Sequence, residues 1–340
     1  MSTLRRIAPA LALLVLSPLV AEFLLGDFSI RQLGLIVVLI PQYGGGALLV
    51  REMARRAGKG WPSMILLALA YALIEEGFTT QSLFNPNYAG FRLLDYGFIP
   101  ALGTSLDWTV FVLTLHIVWS VGSCIAIAEG LAAERWMTPW LGRLGLAVIV
   151  FLFLLGCTLT TIFTFKTFPF VATSWQFVGV AIAVVASIVT ALKFFDSSGT
   201  RVGNRVEGPA PPLWLPGAAS LGFCSSFYLL YQRGPLKGLH PLVTLAGMLG
   251  LELIAIAFIT AWSKRRGWGP RHVLAGATGA ILTYGWLSIT RMISGATALG
   301  VPTTTVDVVG QIFLLLGILA LIGITDRRLS RVKQQVEEPV

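Results

Sequence analysis

Charged residues are scarce in this sequence of 340 residues, where Asp, Glu, Lys and Arg together make up 12%. Soluble domains carry about 25%, so the chain has too few charges to cover a water-facing surface or to stay disordered. The three cysteines lie far apart in apolar runs without CxxC spacing, which excludes a disulfide framework and a thiolate metal site. The P-loop, GxSxG and HExxH fingerprints are also missing, so nucleotide-driven and well-known hydrolase classes lose support.

Hydrophobic residues are what the sequence has in excess: they make up 55% of the chain, and the mean hydropathy is +0.79. A helix needs about 20 mostly apolar residues to cross the hydrocarbon core of a bilayer. The stretches that qualify are 7–25, 32–50, 62–81, 108–131, 143–163, 172–194, 212–232, 240–262, 272–294 and 304–325. The sequence therefore predicts an all-α, polytopic integral membrane protein with about ten transmembrane helices and the lipid bilayer as its main partner.

The basic residues are distributed unevenly between the two sides of the predicted bundle. If the N-terminus is cytoplasmic, 19 of the 25 Lys and Arg residues fall at the inner ends of the helices. Because Lys and Arg concentrate on the cytoplasmic side of membrane proteins, both termini are predicted to be cytoplasmic and the protein to lie in a plasma membrane. The formal charge of +9 is then explained by the basic residues of the cytoplasmic side, and no nucleic-acid partner is predicted.

The predicted helices fall into two membrane portions, six helices in residues 1–194 and four in residues 212–326. A Gly-, Pro- and Ser-rich stretch, 195–211, is predicted to link them on the cytoplasmic side, and 327–340 to form a polar cytoplasmic tail. The loop 82–107, on the predicted outer side, combines aromatic and turn residues. We expect it to fold back over the helices as a lid or re-entrant segment.

Two adjacent glutamates, Glu75 and Glu76, lie inside the third predicted helix. An ionisable group at membrane depth is costly unless it is paired or hydrated, and so it marks a functional site by default. Thr79 and Thr80 follow the two glutamates by four residues and share their helix faces; with Gln81 they are predicted to line a polar cavity. Two carboxylates this close in a low dielectric do not both ionise readily, which suits a general base or a proton carrier.

His116, in the fourth predicted helix, is the one histidine of three that lies well inside an apolar run. At 1.5 Å per residue it is about 13 Å from the outer end and the glutamate pair about 9 Å, so the side chains can meet if the helices are neighbours. Ser120, one turn further on, lies on the face of the histidine. An imidazole beside a carboxylate can orient water, relay a proton or bind a metal; a metal at Glu76 and His116 is one option, although the sequence requires no cofactor.

Other polar residues inside the predicted helices have less defined roles. Glu252 lies mid-span in the eighth predicted helix among apolar neighbours, so it must face a cavity or a partner. Glu129 is expected near the inner face, in headgroup water or paired with Arg135. Arg291 and Asp307 flank the last outer loop and are expected to form an ordinary ion pair.

A glutamate pair in one membrane helix, Glu75-Glu76, followed about 40 residues later by His116, resembles the CPBP superfamily of CAAX prenyl proteases and bacteriocin-processing enzymes. In that superfamily a glutamate of an EExxxR motif and histidines are understood to activate water for peptide hydrolysis inside the membrane. The resemblance implies Glu75 or Glu76 as general base and His116 as its orienting or oxyanion-stabilising partner. Thr80 stands where the motif has arginine, and the similar stretch covers about 50 of the 340 residues.

Three functions are compatible with these residues. The first is a CPBP-like intramembrane peptidase that uses the glutamate pair and His116, with the 82–107 loop gating access. The second is a proton-coupled transporter of a small molecule, in which the glutamate pair and Glu252 occupy equivalent positions of a five-plus-five repeat. The third is a membrane scaffold in which the same polar cluster only holds helices together.

Overall fold

A computed structural model describes the backbone of residues 3–195 and 206–337 and the side chains of residues 7–195 and 208–332. The long helices are α1 (Thr3–Pro18, continued by Leu19–Leu24), α2 (Ile30–Arg56), α3 (Trp61–Thr79), α4 (Leu106–Leu131), α5 (Arg143–Thr167), α6 (Ser174–Lys193), α7 (Trp214–Arg233), α8 (Pro241–Ser263), α9 (Pro270–Ile293) and α10 (Thr305–Glu337). In the described ranges, nine of them are long and apolar enough to cross a membrane. The remaining one, α7, has a similar length but contains more small and polar residues. The chain is therefore an all-α polytopic membrane protein.

Sheet structure within the described ranges is confined to two small pairs. Strand β1 (Phe98–Ile99) is antiparallel to β2 (Thr104–Ser105), with Phe98 opposite Ser105. Strand β3 (Val206–Pro209) is parallel to β4 (Arg265–Arg266), with Val206 opposite Arg265. Of the predicted linker 195–211, residues 196–205 lie outside the described residues.

The 82–107 segment lies against the ends of the helices. Ser82 and Ser105 are fully buried. The Tyr96 hydroxyl donates a hydrogen bond to the carbonyl of Leu239, just before α8, at 2.8 Å. These contacts hold the segment on the bundle, in the place where a cover for the outer ends of α3 and α4 would lie.

In the described part of the chain, four helices contain π-helical turns, in which an extra residue is accommodated in the hydrogen-bond ladder. The turns are Leu19–Leu24 in α1, Ile40–Gly44 in α2, Ile74–Thr79 in α3 and His116–Ser123 in α4. The Ser17 hydroxyl of α1 lies 3.1 Å from the Tyr43 carbonyl and 2.7 Å from the Ser120 carbonyl, to which it donates. This buried hydroxyl ties the irregular turns of α2 and α4 to α1. Turns of this kind are frequent at functional sites.

The two predicted membrane portions share one core. Trp119 of α4 is buried, its ring stacks on Tyr284 of α9 with 4.5 Å between centroids, and its Nε1 donates to the Ala280 carbonyl at 2.7 Å. By contrast, large apolar side chains on α5, α6 and α8 point outward: Phe151 is 65% exposed and Leu253 66%. Such faces suit contact with lipid, because lipid tails are as apolar as the side chains they meet.

Two details at the helix ends differ from the sequence expectations. The tail predicted from residue 327 continues α10 as far as Glu337, and Asp326 pairs with Arg271 at 2.7 Å. The expected pair of Arg291 and Asp307 is wrong, because Asp307 pairs with Arg31 of α2 at 2.8 Å. Asp307 also accepts the backbone N–H of Thr304 at 2.7 Å, so its position is fixed at the start of α10.

Candidate active site

The four π-helical turns bring their polar side chains together in the predicted outer half of the bundle. The turn in α1 carries Glu22, and the turn in α2 carries Tyr43. The turn in α3 carries Glu75 and Glu76, and the turn in α4 begins with His116. We call the set Glu75, Glu76 and His116 the outer site. Each helix is therefore irregular at the position where it supplies a polar group to this site or its surroundings.

Glu76 fixes the imidazole ring of His116. His116 Nε2 lies 2.7 Å from Glu76 Oε1. The other oxygen, Oε2, accepts hydrogen bonds from the Thr80 hydroxyl at 3.0 Å and from the Ser82 hydroxyl. Both oxygens of Glu76 are thus used, and both residues of the Glu76–His116 pair are 6% exposed. If Nε2 carries the imidazole proton, Nδ1 is left as an acceptor on the other side of the ring.

The other side of the His116 ring faces the Ser120 hydroxyl and a carboxylate oxygen of Glu75. Nδ1 lies 3.4 Å from Glu75 Oε2 and 3.3 Å from the Ser120 hydroxyl. Glu75 Oε2 is buried and has no hydrogen bond of standard geometry, and the Tyr71 hydroxyl interacts with the Glu75 carboxylate beside it without reaching that geometry either. Buried polar atoms are normally satisfied, so this weakly satisfied acceptor and donor mark a place where a bound group would fit.

Aromatic rings enclose the site and connect it to a third carboxylate. The Tyr43 ring stacks on the His116 ring with 6.1 Å between centroids, and Tyr71 meets His116 edge-on at 5.8 Å. The Tyr43 hydroxyl donates to Glu22, whose side chain is half-buried near the end of α1. Polar groups therefore continue from His116 past Tyr43 towards the outer end of α1.

The beginning of the 82–107 segment covers the site. The Ser82 hydroxyl that donates to Glu76 also accepts a hydrogen bond from Trp108 Nε1 at 3.2 Å. Because Trp108 lies in the first turn of α4, this pair of bonds joins the end of α3, the covering segment and α4. A movement of the segment would change the hydrogen bonding of Glu76 directly.

The donor set of the outer site is also that of a metal centre. One ligand atom from each of Glu75, Glu76 and His116 lies within 4.8 Å of the other two, and all three residues are buried. Carboxylate oxygen together with imidazole nitrogen suits divalent first-row metals.

A family model for an uncharacterized membrane protein family matches residues 11–335 of the chain. The chain belongs to that family. No curated protein and no solved structure matches the sequence significantly. The family match supports the multi-pass membrane character of the chain, and it covers both membrane portions together with the outer site.

In the structure of this family member, some of the other predicted site residues contact the outer site and others do not. Thr80 and Ser120 contact the outer site, as described above. Thr79 is buried, but its hydroxyl donates to the Ile74 carbonyl at 3.3 Å within the π-helical turn. Gln81 has a positive φ of 56° and accepts the backbone N–H of Ala172 at 2.8 Å, which ties the end of α3 to the connection between α5 and α6.

Glu252 of α8 lies apart from the outer site. Its carboxylate accepts a hydrogen bond from the Thr114 hydroxyl of α4 at 2.5 Å. Thr114 precedes His116 by two residues, about 200° around the helix, so Glu252 meets the opposite face of α4. Glu252 thus has a polar partner within the membrane, which its sequence neighbours do not reveal.

A second buried group of charges lies at the predicted cytoplasmic end of the bundle; we call Arg51, Glu52, Arg55 and Glu129 the inner cluster. Arg55 contacts Glu129 at 2.6 Å, and Arg51 contacts Glu129 at 3.1 Å and Glu52 at 2.7 Å. The Arg51 guanidinium also lies 3.4 Å from the centre of the Trp140 ring, and Glu52 accepts the Trp140 backbone N–H at 2.8 Å. Glu129, which is 4% exposed, therefore lies in a buried ion-pair network, contrary to the expectation of headgroup water.

Sequence reasoning missed Glu22 and Tyr43. Glu22 was detectable, because it lies within the predicted segment 7–25 and meets the criterion of membrane depth that selected Glu75. Tyr43 carried no such signal: a tyrosine in an apolar segment is common, and only the π-helical turn directs it at His116.

Proposed function

We propose that this protein is a membrane-embedded hydrolase that cleaves peptide bonds with a water activated at the outer site. The observation that carries the proposal is the unpartnered Glu75 Oε2, which faces His116 Nδ1 across 3.4 Å in a buried, polar setting. A water beside this pair of atoms would donate a proton to Glu75 Oε2 and lie within hydrogen-bond distance of the His116 ring. Such a water is positioned and polarised for attack on a carbonyl carbon.

The roles of the residues follow from their hydrogen bonds. Glu75 is the general base, because its Oε2 is free, whereas both oxygens of Glu76 are engaged. His116 orients the water through Nδ1, and Glu76 holds the imidazole in the required orientation through Nε2. The Tyr71 hydroxyl, a buried donor that interacts with Glu75 without a hydrogen bond of standard geometry, is placed to turn to the oxyanion.

The reaction balances with these groups alone. Glu75 takes a proton from the water as the new C–O bond forms, and the carbonyl oxygen becomes an oxyanion that accepts the Tyr71 hydrogen bond. The C–N bond then breaks, and the proton held by Glu75 passes to the leaving nitrogen. The products are one carboxylic acid and one amine for each water consumed.

The resemblance to CPBP enzymes supports the proposal at specific positions. Glu75-Glu76 and His116 correspond to the glutamate pair and a histidine of that superfamily. Thr80, which replaces the arginine of the EExxxR motif, donates to Glu76 Oε2 at 3.0 Å and so supplies a neutral donor at this position. We further propose that the segment 82–107 gates access, since its Ser82 bonds to Glu76, and that the protein acts in a plasma membrane.

A proton-coupled transporter is the second candidate. One observation favours it: the Tyr43 hydroxyl links Glu22 to the surroundings of His116, so acidic groups continue towards the predicted outer end. Glu252 separates the two candidates. A hydrolase should tolerate Glu252→Gln, because this residue lies on the opposite face of α4, whereas the proposed carrier uses Glu252 and should fail.

The test compares terminal peptides of the membrane proteome in cells that carry the wild-type chain, Glu75→Gln or Glu252→Gln. We expect new termini in the wild type and in Glu252→Gln that vanish in Glu75→Gln at equal abundance of folded protein. Identical termini in all three strains would exclude proteolysis. Loss of proton-coupled uptake in Glu252→Gln would then favour the transporter.

A further inference from the structure

We propose that the gap between Glu75 Oε2 and His116 Nδ1 binds one divalent first-row transition-metal ion, of the Zn²⁺, Mn²⁺ or Co²⁺ class. This inference rests on the proposed function for its catalytic meaning, because it names the group that would hold the water there. The binding itself is a separate property of the outer site.

The spacing of the two atoms fits the ion. Metal–ligand bonds to imidazole and carboxylate are about 2.0–2.2 Å long in tetrahedral sites, which places neighbouring ligand atoms about 3.3–3.6 Å apart. Glu75 Oε2 and His116 Nδ1 are 3.4 Å apart. The distance is too long for a strong hydrogen bond and matches two ligands of one ion.

The surrounding hydrogen bonds are those of a metal-binding histidine. Such a histidine usually donates its second ring N–H to a carboxylate, which fixes the ring and makes it a better ligand. Glu76 Oε1 lies 2.7 Å from His116 Nε2 and fills this role. The Thr80 and Ser82 hydroxyls in turn hold Glu76 through its other oxygen. Glu76 is thus a positioning residue, which acts on the ion through the His116 ring.

A second observation, independent of the spacing, also points to a ligand. The Tyr71 hydroxyl is 96% buried by residue, makes no hydrogen bond of standard geometry, and interacts with the Glu75 carboxylate beside it. It can bond to a water on the ion. The charge of the site agrees, because within the described part of the chain His116 is the one basic side chain paired with Glu75 or Glu76. Two buried carboxylates with a single imidazole carry excess negative charge, which a bound cation would balance.

A bound ion would change how the water is activated in the proposed reaction. The water would bind to the ion instead of bridging two acceptors, and the ion would make it a stronger acid. Glu75 and His116 would then hold the ion, the second carboxylate oxygen of Glu75 would take the proton of the water, and Tyr71 would keep its place beside the oxyanion.

The experiment uses tag-free, full-length protein that is purified in a mild detergent, stripped with a chelator and dialysed against Co²⁺ or Zn²⁺. We expect one ion per chain and a visible Co²⁺ absorption typical of a low-coordinate nitrogen and oxygen site. Glu75→Gln and His116→Ala should abolish binding, and Glu76→Gln should weaken it about 10–100-fold, as loss of a supporting carboxylate does. His240→Ala and Glu252→Gln are matched controls that should retain one ion.

The outcomes separate this inference from the proposed function. If the wild type binds no ion, or if His116→Ala binds as well as the wild type, the metal site is excluded. Peptide cleavage that persists in the chelator-stripped protein would overturn the catalytic role of the ion and leave Glu75 as general base. One ion per chain without any cleavage would establish the site and overturn the hydrolase. Should a variant fail to fold, the rise in the melting temperature of the wild type with Co²⁺ reports binding instead.

Discussion

The inner cluster and the outer site are both buried groups of charged residues, but they differ in how their charges are balanced. The inner cluster combines two arginines with two glutamates, and none of its side-chain atoms is among the described buried atoms that lack a hydrogen-bond partner. The outer site sets two carboxylates against one imidazole. One of its carboxylate oxygens, Glu75 Oε2, has no hydrogen bond.

This difference separates a structural polar group from a functional one. A satisfied network of ion pairs holds helices together and needs nothing else, whereas removal of one partner leaves an uncompensated charge. A group with an unused acceptor and excess negative charge is costly in the folded protein. It persists where a proton, a water or a metal ion completes it, and perturbed groups of this kind are concentrated at functional sites.

The largest predicted effect is on the inner cluster. Arg51→Ala removes a side chain that contacts Glu52, Glu129 and the Trp140 ring, and leaves two buried glutamates with fewer partners. We expect a loss of about 3–5 kcal/mol in the free energy of unfolding. The measurement is the thermal melting of purified protein together with its folded abundance in the membrane.

An exposed ion pair provides the control for this comparison. Arg92 pairs with Asp95 at 2.5 Å, but their side chains are 72% and 51% exposed. Arg92→Ala should change the stability by less than about 1 kcal/mol, because solvent screens such pairs. Similar losses in Arg51→Ala and Arg92→Ala would mean that the inner cluster does not support the fold.

The next prediction concerns activity at the outer site. Glu75→Gln removes the charge but keeps the shape of a residue whose Oε2 has no hydrogen bond. We expect the melting temperature to stay the same or to rise, while cleavage falls about 10²–10⁴-fold, as when a general base is lost. A variant that melts well below the wild type would show that Glu75 supports the fold, as an inner-cluster glutamate does.

The packing between α2 and α3 gives a smaller effect. A Cβ atom added at Gly46 would lie 2.2 Å from Cε2 of Tyr71, so Gly46→Ala must displace the ring beside Glu75. We expect a loss of about 1–3 kcal/mol in stability together with lower activity. Gly250→Ala on α8 is the matched control, since nothing lies within 4 Å of its added Cβ and alanine favours a helix. Equal stability of the two variants would contradict this account.

The sequence was sufficient to predict the helices and a possible contact of the glutamate pair with His116 where their helices are neighbours, but not the hydrogen bonds that distinguish Glu75 from Glu76. Hydropathy locates apolar segments, and depth along a helix places Glu75, Glu76 and His116 at similar levels. Regular helical geometry, however, gives no sign of a π-helical turn, which rotates the residues that follow it. For this reason Tyr43 was not predicted at His116, and the different partners of Glu75 and Glu76 were not distinguished.

Ion pairs between residues far apart in the sequence were the other feature that could not be predicted. Glu129 was expected in headgroup water or paired with Arg135, and its pairs with Arg51 and Arg55 of α2 were not predicted. Asp307 likewise pairs with Arg31, 276 residues away. Such partners depend on which helices are neighbours, and a single sequence does not specify the order of ten helices around a bundle.

The smallest predicted effect concerns Asp27, in the loop between α1 and α2. Its negative charge has a nearby cation, Arg291, but is less fully balanced than the charges of the inner cluster. Asp27 is half-buried, and burial raises its pKa to about 7, although the nearby charges of Arg291 and His116 oppose the shift. Glu22 adds a further acidic group beside it.

Because the folded protein holds the proton of Asp27 more tightly than the unfolded chain does, stability should fall as the pH rises from about 4 to about 7. Asp27→Asn should remove this fall and raise the melting temperature at pH 8 by a few degrees, with little change at pH 4. An unchanged pH profile in the variant would mean that Arg291 balances Asp27 fully, as the arginines balance the glutamates of the inner cluster.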